Sequence, residues 1–129
     1  IEFFLTQDNR VLVNEIAPRT HNSGHYTLDG CETSQFAMQL QAVTGLPLGS
    51  TALKSAGAIM VNLLGFEESD TDYLEKRDRI LEIPNSFLHW YDKTSRPGRK
   101  LGHVTVILDE KKLTQAKSII EQIESIWYG

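Results

Sequence analysis

The stretch IEFFLTQDNRVLVNEIAPRTHNSGHYT, residues 1–27, joins two short apolar runs to a dense group of polar and charged side chains. The runs IEFFLT and RVLVNEI are rich in β-branched and aromatic residues, and the polar triplet at 7–9 separates them. This pattern predicts a β-hairpin, because strand-forming runs on either side of a turn signal pair with each other.

The hairpin brings two carboxylates together if its turn consists of Asp8 and Asn9 alone. That register would place Phe3 opposite Asn14 and Glu2 opposite Glu15. Cross-strand neighbours have Cβ atoms about 5 Å apart, and like charges there are destabilising unless a cation lies between them. Mg²⁺ prefers such oxygen ligands, so the hairpin predicts a metal site. A different register, or two glutamates facing solvent at the strand ends, remains the alternative.

The loop after the second strand carries several side chains that suit an anion. Arg19 offers a planar fork of donors for bicarbonate, carboxylate or phosphate. His21 and Asn22 can donate hydrogen bonds, while Ser23 and Gly24 let the backbone approach a ligand closely. A solvated loop would explain any one of these residues. Their density beside Glu15 favours an anion site next to the metal.

A second polar cluster lies in HWYDKTSRPGRKLGH, residues 89–103. Four cations within this stretch predict a loop that holds a compact anion such as a phosphate monoester through charge-assisted hydrogen bonds. A solvated basic hairpin tip is the alternative. The flanking histidines are expected to be packed and hydrogen-bonded. The cations are Lys93, Arg96, Arg99 and Lys100.

Composition restricts the class of protein. The chain has 129 residues, of which 40% are hydrophobic and 23% charged, so it can bury one core. Its net charge of −4 argues against a general nucleic-acid or membrane-surface binder. A single cysteine and the lack of a signal peptide or an apolar run of membrane-spanning length favour the cytoplasm. Because the chain starts with IEFFL rather than methionine, we expect a fragment.

The remaining pattern indicates an α+β fold with the order β-β-α-β-α-β-β-α. A helix is predicted from a cap at Ser34 to Gly45, a strand buried on both faces over 58–66, and a short helix over 72–80. FLHWYD and HVTVIL are predicted strands that flank the basic loop. An apolar stripe after a cap at Asp109 predicts a terminal helix.

Three segments resemble a known family. The stretches IEFFLTQDNRVLVNEIAPRTHNSGHYT, TSQFAMQLQAVTGLPLG and HWYDKTSRPGRKLGHV are similar to the C-terminal part of N5-carboxyaminoimidazole ribonucleotide synthetases, the ATP-grasp enzymes of bacterial and fungal purine biosynthesis. NEIAPRTHNSGH and RPGRKLGH are the most specific pieces. The resemblance implies the end of an ATP-grasp domain over 1–50, an antiparallel hairpin plus helix. A small β-rich C-terminal domain with a terminal helix would follow over 51–129.

The resemblance also implies a ligase reaction. In that family ATP and bicarbonate give carboxyphosphate, whose CO₂ unit passes to the amine of aminoimidazole ribonucleotide. The implied cofactors are ATP and Mg²⁺, and a homodimer is implied for the full-length enzyme. The roles carried over by position are Mg²⁺ for Glu2 and Glu15, the nucleotide for Asn14 and Glu15, bicarbonate for Arg19, His21 and Asn22, and the ribonucleotide phosphate for Lys93, Arg96 and Arg99.

Departures from the family pattern leave other interpretations open. Thr20 stands where the family usually carries proline, and Ala37 and Gln41 stand where it usually carries glutamate and arginine. Ala17, expected for this family, stands where many other ATP-grasp enzymes carry asparagine. No segment resembles the ATP-grasp lid or the preceding domain. We therefore expect the isolated chain to be inactive. The alternatives are another ATP-grasp enzyme, either a formate-using glycinamide ribonucleotide transformylase or a biotin carboxylase, and a stand-alone, non-catalytic module that binds anions.

Overall fold

The computed structural model describes residues 1–129 and contains five strands and four helices. The predicted order is confirmed, with one short helix and two 3₁₀ turns added. No helix combines the length and the apolar character that crossing a membrane requires. The elements are β1 (Glu2–Leu5), β2 (Val11–Glu15), a 3₁₀ turn (Asn22–Gly24), α1 (Thr27–Gly30), α2 (Gln35–Thr44), β3 (Gly57–Leu64), α3 (Leu74–Leu81), β4 (Ser86–Trp90), β5 (Lys100–Leu108), a 3₁₀ turn (Glu110–Gln115) and α4 (Ala116–Tyr128).

The turn of the first hairpin differs from the prediction. The Thr6 amide donates to the Arg10 carbonyl at 2.9 Å and the Asn9 amide donates to the Thr6 carbonyl at 3.0 Å, so residues 7–9 form a three-residue loop. Asn9 adopts the left-handed conformation with φ of 60°, which asparagine tolerates better than most residues. The predicted two-residue turn at Asp8 and Asn9 is therefore wrong.

A β-bulge nevertheless brings the two glutamates together. The longer loop pairs Phe3 with Val13 instead of Asn14, and the register shifts between Glu2 and Phe3 so that Glu2 lies opposite Glu15. Asn14 is the extra residue of the bulge, which re-aims side chains at the end of a strand. The predicted juxtaposition of the glutamates is confirmed, although for a different reason.

The second sheet has three antiparallel strands in the order β3-β5-β4. Central β5 is almost entirely buried, whereas β3 lies at an edge and is mostly half-buried. The prediction that residues 58–66 form a strand covered on both faces is wrong. An apolar run shows that a strand packs against other apolar groups but not that both of its faces are covered, and in this sheet the strand that is buried almost throughout is the central one, β5.

Helices α3 and α4 cover this sheet and form the core. Ile123, Ile126 and Trp127 of α4 are buried together with Ile80 of α3 and strand residues such as Leu101. The Asp109 side chain caps the chain after β5 by accepting from the Lys112 amide. The predicted apolar stripe of the terminal helix is confirmed for its last two residues, Ile123 and Trp127, which are buried. Its first residue, Leu113, is 45% exposed because it lies on the 3₁₀ turn.

The first fifty residues are attached to the sheet through α1 and the segment after it. The Lys54 amide donates to the Gly30 carbonyl at 2.9 Å, and the backbones of Cys31 and Leu53 form an isolated antiparallel β-bridge. Gly30 lies so close to the sheet that a Cβ there would be 3.2 Å from Ala58 Cβ. These contacts attach α1 to the start of β3, the edge strand of the sheet.

Helix α2 has the predicted ends. Ser34 Oγ accepts from the Ala37 amide at 3.2 Å, and Gly45 ends the helix with φ of 73°. Neither α2 nor the first hairpin contributes to the core, and apolar side chains of the hairpin are exposed to solvent. These side chains are Phe3, Phe4, Leu5, Val11, Leu12 and Val13.

Candidate functional site

Two carboxylates and one imidazole converge at the open end of the first hairpin. One ligand atom from each of Glu2, Glu15 and His21 lies within 4.8 Å of the others. His21 Nε2 is 2.5 Å from Glu15 Oε1, and His21 Nδ1 is 3.8 Å from Glu2 Oε1. The Asn14 side-chain amide donates to Glu2 Oε2 at 2.5 Å. The bulge therefore produces a compact negative site with a polar group directed at each carboxylate.

The donor set of this site fits a divalent cation. Glu2 and Glu15 supply hard oxygen atoms from neighbouring strands, the arrangement that Mg²⁺ accepts when phosphate oxygens and water complete its shell. A cation between the carboxylates would also remove the repulsion between them. His21 adds a nitrogen, a donor better suited to transition metals than to Mg²⁺. The two glutamates are therefore the candidate Mg²⁺ ligands, and His21 lies against Glu15.

Gln35 holds the loop that contains His21. Its side-chain oxygen accepts from the His21 amide at 2.9 Å, and its nitrogen donates to the His21 carbonyl at 2.7 Å. The same nitrogen lies 2.8 Å from His25 Nδ1. Gly24 lies close beside it, and a Cβ there would be 2.5 Å from Gln35 Oε1, so a larger residue at 24 would displace the Gln35 side chain. Gln35 was not among the predicted site residues, and Gly24 was the one local signal of such a close approach in the sequence.

A cavity of about 220 Å³ opens between the carboxylates and this loop. Arg19 lines it, with one guanidinium nitrogen donating to the Thr20 carbonyl at 2.9 Å. Arg19 and the carboxylates thus share one cavity, as an anion held beside a metal requires. The lining residues are Ile1, Glu2, Glu15, Ala17, Arg19, His21, Ser23, Gly24 and Gln35.

The basic loop between β4 and β5 is fixed by its backbone. The Gly98 amide donates to the Gly65 carbonyl and the Gly65 amide donates to the Arg99 carbonyl, both at 2.8 Å. Ser69 and Ser95 exchange two further backbone hydrogen bonds, of 3.2 and 2.9 Å. The loop shape therefore depends on backbone contacts, and the Arg96 side chain points into solvent.

Replacing Gly65 by alanine should distort this loop. A Cβ at residue 65 would lie 2.5 Å from the Arg96 carbonyl oxygen and 3.0 Å from its amide nitrogen, and neither backbone atom can move aside cheaply. We expect Gly65→Ala to lower the free energy of unfolding by about 1–3 kcal/mol, measured by urea denaturation. In Gly57→Ala the new Cβ meets only the flexible end of Leu113. An equal loss in both variants would contradict this reason.

The two polar loops meet at Lys100. Its ammonium group hydrogen-bonds the Asn22 side-chain oxygen. Burial, followed by the nearby charge of Lys93, lowers the pKa of Lys100. The structure thus joins Asn22 to the basic loop through Lys100, a lysine that the sequence placed in the basic cluster without predicting its contact with Asn22. If the two polar loops serve one site, Lys93 and Arg99 lie on the same side of the molecule as Arg19, and this placement stays a prediction.

The fold and the site define part of an ATP-grasp protein. Residues 1–36 match the ATP-grasp domain family, and residues 58–117 match the family described as the phosphoribosylaminoimidazole carboxylase C-terminal domain. These segments include the carboxylate hairpin with its polar loop and the sheet that carries the basic loop.

Comparison with individual proteins identifies the family. The chain is 53% identical to the N5-carboxyaminoimidazole ribonucleotide synthase of Synechocystis, with 99% of the chain aligned to 36% of the relative. It is 55% identical to the Synechococcus elongatus synthase, with 98% of the chain aligned to 33%. The chain belongs to the N5-carboxyaminoimidazole ribonucleotide synthase family and spans about a third of the length of these relatives.

Solved structures of the family share this fold. The Thermotoga maritima synthetase superposes with a TM-score of 0.84 at 44% identity, covering 96% of this chain and 34% of that one. An Aspergillus clavatus synthase, solved with ADP and 5-aminoimidazole ribonucleotide, gives a TM-score of 0.85 at 36% identity, with 98% and 34% covered. The predicted α+β class and family resemblance are confirmed.

Proposed function

We propose that this chain is the C-terminal part of an ATP-grasp ligase that uses ATP and bicarbonate to carboxylate 5-aminoimidazole ribonucleotide in purine biosynthesis. The observation that carries the proposal is the facing pair Glu2 and Glu15 beside an anion-binding loop that is itself bonded to the basic loop. The two carboxylates suit the metal ion of a metal–nucleotide complex. The cavity lined by Arg19 suits bicarbonate, and the lysines of the basic loop suit a phosphate monoester.

Glu2 and Glu15 hold Mg²⁺ in this proposal. When bound, the ion neutralises the phosphate charge that develops during phosphoryl transfer. The Asn14 amide orients one oxygen of Glu2 and leaves the other for the metal. His21 keeps Glu15 turned towards the cavity through a contact of 2.5 Å. Asn14 and Glu15 form the edge of the nucleotide site.

Arg19, His21 and Asn22 bind bicarbonate and the carboxyphosphate formed from it. Donors fixed before reaction stabilise developing negative charge at little cost in reorganisation, and the two hydrogen bonds between Gln35 and His21 fix this loop. Lys100 adds a positive charge at Asn22. Carboxyphosphate is thus held between two cationic groups.

Lys93, Arg96 and Arg99 bind the phosphate of the ribonucleotide. The Arg99 guanidinium donates to the Thr94 carbonyl at 3.2 Å, which directs its remaining donors. Burial and then the charge of Lys93 lower the pKa of Lys100. The two ammonium groups therefore repel each other, and a bound phosphate would offset that repulsion.

We propose the domain organisation and oligomeric state on the same basis. Residues 1–50 complete an ATP-grasp domain and residues 51–129 form the C-terminal domain, in a cytoplasmic enzyme that is a homodimer when full length. The exposed apolar side chains of the first hairpin are then covered by the remainder of the ATP-grasp domain. The isolated chain folds but does not turn over, because it lacks a lid to enclose the phosphates and exclude water.

A chimaeric enzyme tests the proposed activity. The chimaera is the Synechocystis synthase with its matching C-terminal third replaced by this chain, a substitution that 53% identity makes compatible with folding. We expect ADP release that requires Mg²⁺, bicarbonate and 5-aminoimidazole ribonucleotide together. The isolated 129-residue chain is the control and should release none.

The substrates on which ADP release depends distinguish the proposed reaction from the alternative functions. ADP release that depends on formate and glycinamide ribonucleotide, or on biotin, would identify another ATP-grasp reaction. A folded chimaera that binds phosphate but never hydrolyses ATP would favour an anion-binding module.

A further inference from the structure

Three histidine rings lie in contact between the two polar loops. His103, on β5, stacks on His89 with ring centroids 4.6 Å apart and 13° between the ring planes. His25, at the end of the first polar loop, has its ring centroid 5.3 Å from that of His103. No step of the proposed reaction uses this histidine cluster of His25, His89 and His103.

One side of the cluster leads to the carboxylate site. His25 Nδ1 lies 2.8 Å from the side-chain nitrogen of Gln35, whose amide group also bonds both backbone polar groups of His21. The His25 ring and the His21 backbone are therefore held by one side chain. A shift of His103 would be transmitted through His25 and Gln35 to the carboxylate site.

The other side of the cluster leads to the basic loop. The Tyr91 hydroxyl lies 2.6 Å from His103 Nδ1, and the Lys93 ammonium nitrogen lies 5.2 Å from the centroid of the Tyr91 ring. A cation over an aromatic face is attracted to it. His103 thus determines where the Tyr91 ring lies, and the ring determines where Lys93 lies.

Packing alone does not account for a histidine at position 103. The side chain is 1% exposed, and its Nε2 has no hydrogen-bond partner. Burial, then the neighbouring His89 and His25, lowers the pKa of His103 to about 4, so the ring is neutral at pH 7. Burial raises the pKa of Tyr91, and its protonated hydroxyl donates to Nδ1. An aliphatic residue would fill this place without a buried, unpartnered nitrogen.

We propose that His103 is a positioning residue that fixes the Lys93 ammonium relative to the loop carrying His21. This inference rests on the proposed function, in which Lys93 binds the ribonucleotide phosphate and His21 belongs to the bicarbonate site. CO₂ transfer requires these two anions at a fixed separation. Lys93 and His21 have no hydrogen bond to each other, and the histidine cluster links their loops in addition to the hydrogen bond between Lys100 and Asn22.

A ligand-free measurement tests the connection. In His103→Leu the ring and its acceptor are lost while most of the volume stays, and we expect amide NMR resonances to move in both loops, 19–25 and 93–100. The matched control is Thr105→Val on the same strand and the same face, where the buried Oγ1 is likewise unpartnered. If His103→Leu moves the two loops no more than Thr105→Val does, the inference is overturned.

A binding measurement tests the consequence. We expect His103→Leu and Tyr91→Phe each to weaken binding of ribose 5-phosphate to the chain about fivefold, and the double variant no further, because both remove the same coupling. His103→Asn retains an acceptor near the Nδ1 position and should restore most of the affinity. In the chimaeric enzyme these variants should raise KM for the ribonucleotide and leave KM for ATP unchanged.

The outcomes separate the inference from the proposed function. No binding of ribose 5-phosphate by the unmodified chain would refute the phosphate role of the basic loop, and the NMR comparison would still decide the connection. Additive losses in the double variant, or equal rises in both KM values, would overturn the positioning role. If His103→Leu fails to fold, Tyr91→Phe tests the positioning role instead, because Tyr91 is half-buried and lies outside the core cluster.

Discussion

Replacing Glu15 by glutamine in the chimaeric enzyme should lower Mg²⁺-dependent ADP release about 10²- to 10³-fold. This range is expected because a metal ion that stabilises phosphoryl transfer by several kcal/mol would lose a charged ligand. Glu15 faces Glu2 across the bulged end of the hairpin. A neutral amide keeps the size of the side chain but removes half of the negative charge that attracts the ion.

The same substitution should leave the fold intact. Glu15 is half exposed and its partner His21 is partly exposed, so the free energy of unfolding should change by no more than about 0.5 kcal/mol. Glu121→Gln, an exposed change of the same kind on α4, is the matched control for activity. Normal turnover in Glu15→Gln, measured by coupled ADP assay with increasing Mg²⁺, would remove the metal assignment.

The largest effect on stability should come from Trp127→Ala, which we expect to lower the free energy of unfolding by about 3–5 kcal/mol. Trp127 is 1% exposed, and its indole nitrogen donates to the Leu64 carbonyl at 2.8 Å. Its ring lies with centroids 5.2–6.1 Å from those of Phe66, Tyr73 and Trp90. Truncation leaves a cavity between α4 and the sheet and an unpaired carbonyl.

Urea unfolding of the chain measures this loss. A total stability of about 5–15 kcal/mol is usual for a domain, so Trp127→Ala should be folded only marginally. Tyr128→Ala removes the neighbouring aromatic ring, which is 49% exposed, and should cost about 1 kcal/mol or less. Similar losses in the two variants would mean that the contact between α4 and the sheet is not the centre of the core.

The first hairpin shows what local sequence can predict. Strand-forming runs around a polar triplet predicted the hairpin and the meeting of Glu2 with Glu15, and both were found. The loop length was predicted wrongly, as two residues instead of three, and the bulge was not predicted. The three-residue loop depends on the left-handed Asn9 and on the Thr6 hydroxyl, which accepts from the Arg10 amide at 2.9 Å.

The site was predicted where its residues are close in sequence and missed where they are distant. Glu15, Arg19 and His21 form a visible group. The hydrogen bond from Lys100 to Asn22 spans 78 positions, and that from His21 to Gln35 spans 14. Neither a lysine nor a glutamine in the sequence signals such a contact. Only the packing of α1 against the sheet and of α2 against the loop reveals these two hydrogen bonds. The same holds for the central position of β5.

The backbone anchoring of the basic loop has a consequence for protein engineering. Because Gly65, Gly98 and Ser95 fix the loop through main-chain atoms, the exposed side chain at 96 is largely independent of the fold, and the side chain at 99 makes one hydrogen bond, to the Thr94 carbonyl. Charge, length and hydrogen-bonding capacity could be varied there in a combinatorial library with little loss of folded protein. If the loop binds the ribonucleotide phosphate as proposed, such a library offers a way to select a related enzyme that accepts molecules with a different anionic group.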